Sequence, residues 1–249
     1  MKKLIGCTLL LFLLACGQTQ NKGKSVSKLD YAPLSIEDAK KLITPTVYYI
    51  PEFDQAGPSC SEIVEMKNKL GKTIVRVCKN VYNSCVMQGT CKIKMAEKAL
   101  LINVGSLVNN DRRFEEISKS ECIYGRGASQ DSVNNFTMMC LDPYHSVAAD
   151  LSIYKLGDVI YVPAFVGTIL PNGETHDGYF VVRDTGGAIE GYGRFDFFSG
   201  FDSYKDRSNP LAVQDFNDKA THLPYYVILG PKAAEILKLR HFPSLPVRK

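Results

Sequence analysis

Apolar residues fall in short runs along most of the chain, broken by glycine, proline and asparagine. Runs at Val47–Ile50, Thr73–Cys78, Cys91–Met95 and Leu100–Val104 read as short strands. Gly57-Pro58, Gly71, Gly89 and Asn109-Asn110 punctuate them. Asp158–Val162 is nearly continuous in apolar character, the mark of a strand covered on both faces. Asn172-Gly173 predicts a two-residue hairpin turn with positive φ at both positions. A returning strand follows at Gly178–Arg183, then strands at Arg194–Phe198 and Tyr225–Leu229. Helix is sparse. Ser35–Ile43 predicts a short one, capped by Ser35, with Glu37 and Asp38 in its first turn and Pro45 as its stop. Pro231–Leu239 predicts a closing one with proline at its start. Short strands with glycine corners argue for a small closed β-barrel.

The first residues follow a different pattern. Lys2 and Lys3 precede an apolar run from Leu4 to Leu14, too short to span a membrane and flanked as a secretory leader. The run ends Leu13-Leu14-Ala15-Cys16, which resembles the bacterial lipobox, whose cysteine is acylated. Residues 1–15 are thus expected to be a signal peptide, and residues 16–33 a polar tether attached through Cys16 to a membrane lipid. Gly17, in place of Asp, resembles lipoproteins sorted to the outer membrane. Of eight cysteines, Cys7 leaves with the leader and Cys16 takes the lipid. The remaining six (Cys60, Cys78, Cys85, Cys91, Cys122 and Cys140) suggest three disulfides of unspecified connectivity. Cys85 and Cys91 flank a glycine turn at a spacing that suits a bridge. No C-x-x-C occurs and the four histidines are scattered, which argues against structural zinc. The formal charge of +4 falls to +2 when Lys2 and Lys3 are removed, which gives no reason to expect nucleic acid.

Candidate chemistry concentrates between Asp184 and Gly200. Gly186 and Gly187 let the chain turn just after Asp184, Thr185 can hydrogen-bond locally, and Gly191 and Gly193 supply a second bend. Alternation then places Arg194, Asp196 and Phe198 on one strand face, and Phe195 and Phe197 on the other. Desolvation and a neighbouring anion at Asp184 would raise the Asp196 pKa, and Arg194 would lower it, so the sign is open. The bland alternative is that Asp184 caps a turn and Asp196 pairs with Arg194.

The string DTGGAIEGYGRFDFF resembles the signature of the 3D domain, named for three aspartates and found in the catalytic barrel of the murein lytic transglycosylase A family. Asp184 and Asp196 match the second and third aspartates, and Asp150, before Leu156-Gly157, matches the first. Glu190 stands where the signature has Lys, and a polar insertion covers about 202–221. The resemblance implies a mainly β fold with a six-stranded double-psi β-barrel over 122–241; the disulfide-rich, β-rich region over 34–121, read from its cysteines and short strands, matches nothing in that family.

It further implies cleavage of the β-1,4 bond between N-acetylmuramic acid and N-acetylglucosamine in peptidoglycan, with formation of a 1,6-anhydro ring. Asp196 would serve as the single acid and base, Asp184 as its partner, and Asp150 as support for the turn. Thr185, Gly186, Gly187, Glu190, Tyr192 and Arg194 are the implied substrate contacts. Neither metal nor organic cofactor is implied. The partners are glycan strands and, through the lipid, a membrane, which places the protein in the cell envelope. The alternatives are a non-catalytic envelope-binding lipoprotein and a hydrolase of different specificity.

Overall fold

In the computed structural model the described residues are 40–41, 45–117, 122–132, 135–212 and 223–243. The leader, Cys16 and the whole tether lie outside them, as do most of the expected Ser35–Ile43 helix and part of the 202–221 insertion. Among the described residues no helix is long and apolar enough to cross a membrane.

The chain is mainly β. Among the described residues fifteen strands run in order: β1 (Lys40–Lys41), β2 (Thr46–Tyr48), β3 (Glu52–Asp54), β4 (Ile63–Lys67), β5 (Thr73–Cys78), β6 (Thr90–Lys94), β7 (Ala99–Val108), β8 (Asp111–Glu116), β9 (Arg126–Ser132), β10 (Asn135–Cys140), β11 (Ser146–Ala148), β12 (Val159–Tyr161), β13 (Tyr179–Asp184), β14 (Asp196–Phe198) and β15 (Pro224–Ile228). Helices α1 (Lys79–Gln88) and α2 (Gly230–Leu239) complete the set. One sheet has the order β3-β6-β7-β8-β4-β5, and a second the order β1-β15-β12-β13-β11-β14-β2. The second sheet draws β2 from upstream of the cysteine-rich segment and pairs it in parallel with β14.

Three expectations need correction. Lys40–Lys41 is a strand paired with Pro224–Tyr225 and not the end of a helix, because the edge of β15 offers its backbone partners. Helix α1 was not anticipated; it buries Val81 and Cys85, one turn apart, against the first sheet. The Asn172-Gly173 turn has positive φ only at Gly173 (+83°), while Gly173 N donates to Leu170 O and Leu170 N to Glu174 O. The loop is therefore three residues long, with glycine alone in the left-handed position.

All six expected cysteines are bridged, as Cys60–Cys78, Cys85–Cys91 and Cys122–Cys140. Cys85 and Cys91 are fully buried among Met66, Val77, Ile93, Ile102 and Phe114, so this bridge forms part of the core of the first sheet. The second sheet packs one face on Phe165, Phe180, Val182, Phe195 and Phe197. Its other face meets the cysteine-rich half through Tyr48, Ile50, Leu101, Leu141 and Phe198. The alternation read in Arg194–Phe198 is thus realised, with Phe197 and Phe198 on opposite faces.

Candidate active site

Strand register assembles the site. Ala148 of β11 is paired with Asp184 of β13 on one side and with Asp196 of β14 on the other, and Asp196 is paired with Thr46 of β2. These four residues form one row across four strands. Strands in a sheet lie about 4.8 Å apart, so the Cα atoms of the two aspartates are separated by roughly 10 Å. Alanine between them is small enough for both carboxyl groups to lean over it. An irregularity in the β11–β13 register at Val147/Ala148 skips Arg183, which brings Asp184 into the row. Arg183 is fully buried instead, and its guanidinium donates to the carbonyls of Cys140, Arg240 and Pro243. Those bonds anchor the strand that carries Asp184.

Residues from outside the motif complete the pair. Thr46 Oγ1 donates to Asp196 Oδ1 at 2.7 Å, and Arg194 Nη1 donates to Thr46 Oγ1 at 2.9 Å. Arg194 therefore reaches Asp196 through a hydroxyl. Tyr48 Oη donates to Asp184 Oδ2 at 3.0 Å and the Thr185 amide to Asp184 Oδ1 at 2.9 Å. The Ala128 amide also donates to Asp184. Gly127 allows this approach, since a Cβ there would lie 2.2 Å from the Arg183 carbonyl oxygen.

Burial raises the pKa of both carboxyl groups. For Asp196 it outweighs the hydrogen bond from Thr46 and the charge of Arg194, which settles the sign left open by the sequence. Asp184 is pushed up to about 7, first by burial and also by the charge of Asp196, against the hydrogen bonds from Thr185, Tyr48 and Ala128. The Tyr48 phenol is itself raised, by burial first and then by the two carboxylates, and so stays protonated as a donor. Two acids in one row, both with raised pKa, hold their protons more tightly than exposed carboxyl groups and can donate and recover them.

The row opens into a cleft of about 600 Å³. Asp184, Thr185, Gly186, Gly187, Arg194 and Asp196 all line it. Further contributions come from Tyr48 at the end of β2 and Tyr49 just after it, Arg126–Ala128 of β9, the end of α1 from Val86, and Thr90, Asn103 and Val104 of the first sheet. The cysteine-rich half thus supplies one side of the cleft. Asp150, Glu190 and Tyr192 are not in its lining. Asp150 instead accepts from the Gly191 amide at 2.8 Å and from Ser152, contacts that lower its pKa and fix the bend leading into β14. Glu190 and Tyr192 are exposed on that bend. The exchange of Lys for Glu at 190 therefore falls outside the cleft.

Thr46 and Tyr48 were missed from sequence. The strand read at Val47–Ile50 stops one residue short of Thr46, whereas the observed strand is Thr46–Tyr48 and sets the two residues on one face. A second cluster, His145, His176 and Asp177, has the composition of a metal site, with its ligand atoms within 4.8 Å of one another. Its hydrogen bonds point elsewhere. His176 Nδ1 accepts from the Gly178 amide, so Nε2 carries the proton and donates to Tyr144 O at 2.7 Å. Asp177 accepts from the Tyr179 amide and from Arg240. With both His176 nitrogens engaged, these residues do not fit a metal ion.

No curated protein matches the chain. Solved structures with similarity include the E. coli MltA complex with chitohexaose, at 14% identity and TM-score 0.48, covering 75% of this chain and 72% of that one. A membrane-bound lytic murein transglycosylase from Agrobacterium tumefaciens is similar at 15% identity and TM-score 0.47, covering 79% and 77%. MltA from Neisseria gonorrhoeae is similar at 13% identity and TM-score 0.42, covering 74% and 71%. Identities of this size and scores below 0.5 transfer no activity. One family model, that of the 3D domain, matches residues 145–208, the stretch that holds Asp150, Asp184 and Asp196.

Proposed function

We propose that this protein is a lytic transglycosylase of peptidoglycan, with Asp196 as its acid and base. The observation that carries the reading is the row Asp184–Ala148–Asp196–Thr46, with both carboxyl groups held above their ordinary pKa at a cleft of about 600 Å³. Protonated Asp196 gives its proton to the glycosidic oxygen as the bond from C1 of the muramyl sugar to that oxygen breaks. The C6 hydroxyl of the same sugar then attacks C1, closes the 1,6-anhydro ring and returns a proton to the Asp196 carboxylate. No water is consumed, so the second activated carboxylate of an ordinary glycosidase is not required.

Within this reading Thr46 orients Asp196, and Arg194, acting through Thr46, steadies the carboxylate once its proton has left. Asp184, held by Tyr48, Thr185 and Ala128, faces the positive charge that develops on the sugar ring. Asp150 acts at one remove, by fixing the bend at Gly191. Thr185, Gly186 and Gly187 present backbone to the glycan. The signal peptide, lipid at Cys16 and outer-membrane attachment belong to the same reading, since a tethered envelope protein meets peptidoglycan directly.

Incubation of the mature protein with purified sacculi tests the proposal. Release of 1,6-anhydromuropeptides, seen by mass spectrometry and lost in Asp196→Asn, is the expected result. Reducing-end products would replace the transglycosylase with a hydrolase, and no soluble product would favour a binding role.

A further inference from the structure

The cleft has a side that the acid–base chemistry does not use. Helix α1 ends at Gln88, Gly89 turns the chain with φ +76°, and β6 begins at Thr90. Four bonds hold this corner rigid. The Cys85–Cys91 disulfide closes it, Val104 N donates to Gly89 O at 2.8 Å, and Thr90 Oγ1 donates to Asn103 Oδ1 at 2.6 Å. The fourth bond runs from the Tyr49 amide to Gln88 Oε1 at 3.4 Å. That last bond turns the oxygen of the Gln88 carboxamide toward β2 and leaves its Nε2 with no hydrogen bond to any described residue. Gln88 nevertheless lines the cleft, together with Met87, Val86 and Val104. Met87 is 79% exposed, unusual for an apolar side chain at a cleft.

We infer that this corner is a recognition site for the acetamido group of an amino sugar. An acetamido group presents one carbonyl oxygen and one methyl group about 2.4 Å apart, which demands a donor beside an apolar surface. Gln88 Nε2 supplies the donor, and Met87 with Val104 the apolar surface. A sugar hydroxyl would gain from the donor but not from Met87, and a free amine would meet a donor where it needs an acceptor. The corner therefore selects N-acetylated over de-N-acetylated glycan. The inference rests on the proposed glycan substrate, but not on which bond is cleaved or how.

Binding separates the two. The full-length mature protein carrying Asp196→Asn is titrated with chitohexaose and with the glucosamine hexamer, its de-N-acetylated counterpart. The parent should prefer chitohexaose by roughly tenfold or more, the scale of one hydrogen bond plus a buried methyl group. Gln88→Glu keeps the acceptor for the Tyr49 amide but has no donor, and Gln88→Met is neutral and has neither. Each should weaken chitohexaose binding about fivefold to tenfold. Gln88→Met should leave glucosamine-hexamer binding within about twofold, the spread expected where no hydrogen bond is lost. Loss of chitohexaose preference with unchanged melting temperature supports the site. Equal affinity of the parent for both hexamers, or unchanged chitohexaose binding in both variants, overturns it. If the Gln88-dependent preference holds while the wild-type protein releases no anhydro product from sacculi, the acetamido site stands and the transglycosylase reading fails.

Discussion

Replacing Asp184 by asparagine should make the protein more stable as pH rises. Asp184 is ordinarily half-ionised at 3.8, and here it is pushed to about 7, chiefly by burial. A carboxyl group whose pKa is higher folded than unfolded binds its proton more tightly in the native state. Its contribution is complete below about pH 4 and is lost as pH climbs through about 7. At about 1.4 kcal/mol per unit, the full shift is worth roughly 4 kcal/mol. Asp184 keeps some contact with solvent at the cleft, so about half of that is a realistic lower bound. Asparagine has nearly the same shape, keeps an oxygen for the Thr185 amide, and carries no charge. In urea unfolding of both proteins at several pH values, the variant should gain roughly 2–4 kcal/mol on the wild type between pH 4 and pH 8. Groups other than the pair titrate alike in the two proteins and cancel. A difference that stays constant within about 0.5 kcal/mol across that range would show that Asp184 ionises normally and would remove the electrostatic basis of the site.

Thr46→Val removes the hydrogen bond that holds the Asp196 pKa down and cuts the link to Arg194. Product release from sacculi should fall by about tenfold to a hundredfold, and the alkaline limb of the pH profile should move upward; an unchanged limb would deny Thr46 this role. Tyr48→Phe should likewise raise Asp184 further, read as an upward shift of the carboxyl resonance in an NMR titration, because the phenol donates to the ionised form. Gly127→Ala would place a methyl group 2.2 Å from the Arg183 carbonyl oxygen. It should cost about 1–3 kcal/mol or more in denaturant unfolding, and a neutral result would mean that β9 can move away from β13 freely.

Much of the C-terminal half was legible because its signals are local. The aromatic alternation at Phe195, Phe197 and Phe198, the apolar run at Val159–Tyr161 and the proline at the start of α2 each act within a few residues. The disulfide count followed from an even number of cysteines behind a leader-like segment, but the pairing of Cys60 with Cys78 and Cys122 with Cys140 depends on strand pairing, which sequence spacing does not encode. Helix α1 escaped notice because only Val81 and Cys85 mark its buried side, and the other residues of that segment carry no amphipathic stripe. Asp184 and Asp196 were visible through glycine-rich turns around them. Thr46 and Tyr48 were not, because nothing local distinguishes a threonine beside a buried carboxyl from one on any other strand. Tyr192 and Glu190 failed as cleft residues for a related reason. Adjacency in the motif does not say which way a glycine bend will face.

The parallel pairing of β2 with β14 also has a consequence for timing. Thr46 leaves the ribosome well before its partner Asp196, which follows 150 residues later. Until β14 arrives, a partial chain holds either the hydroxyl or the carboxyl but never both in contact. Late, non-local closure of this kind is slow relative to local folding. If the proposed function holds, a chain built this way stays inert during synthesis until β14 has been made and has paired with β2.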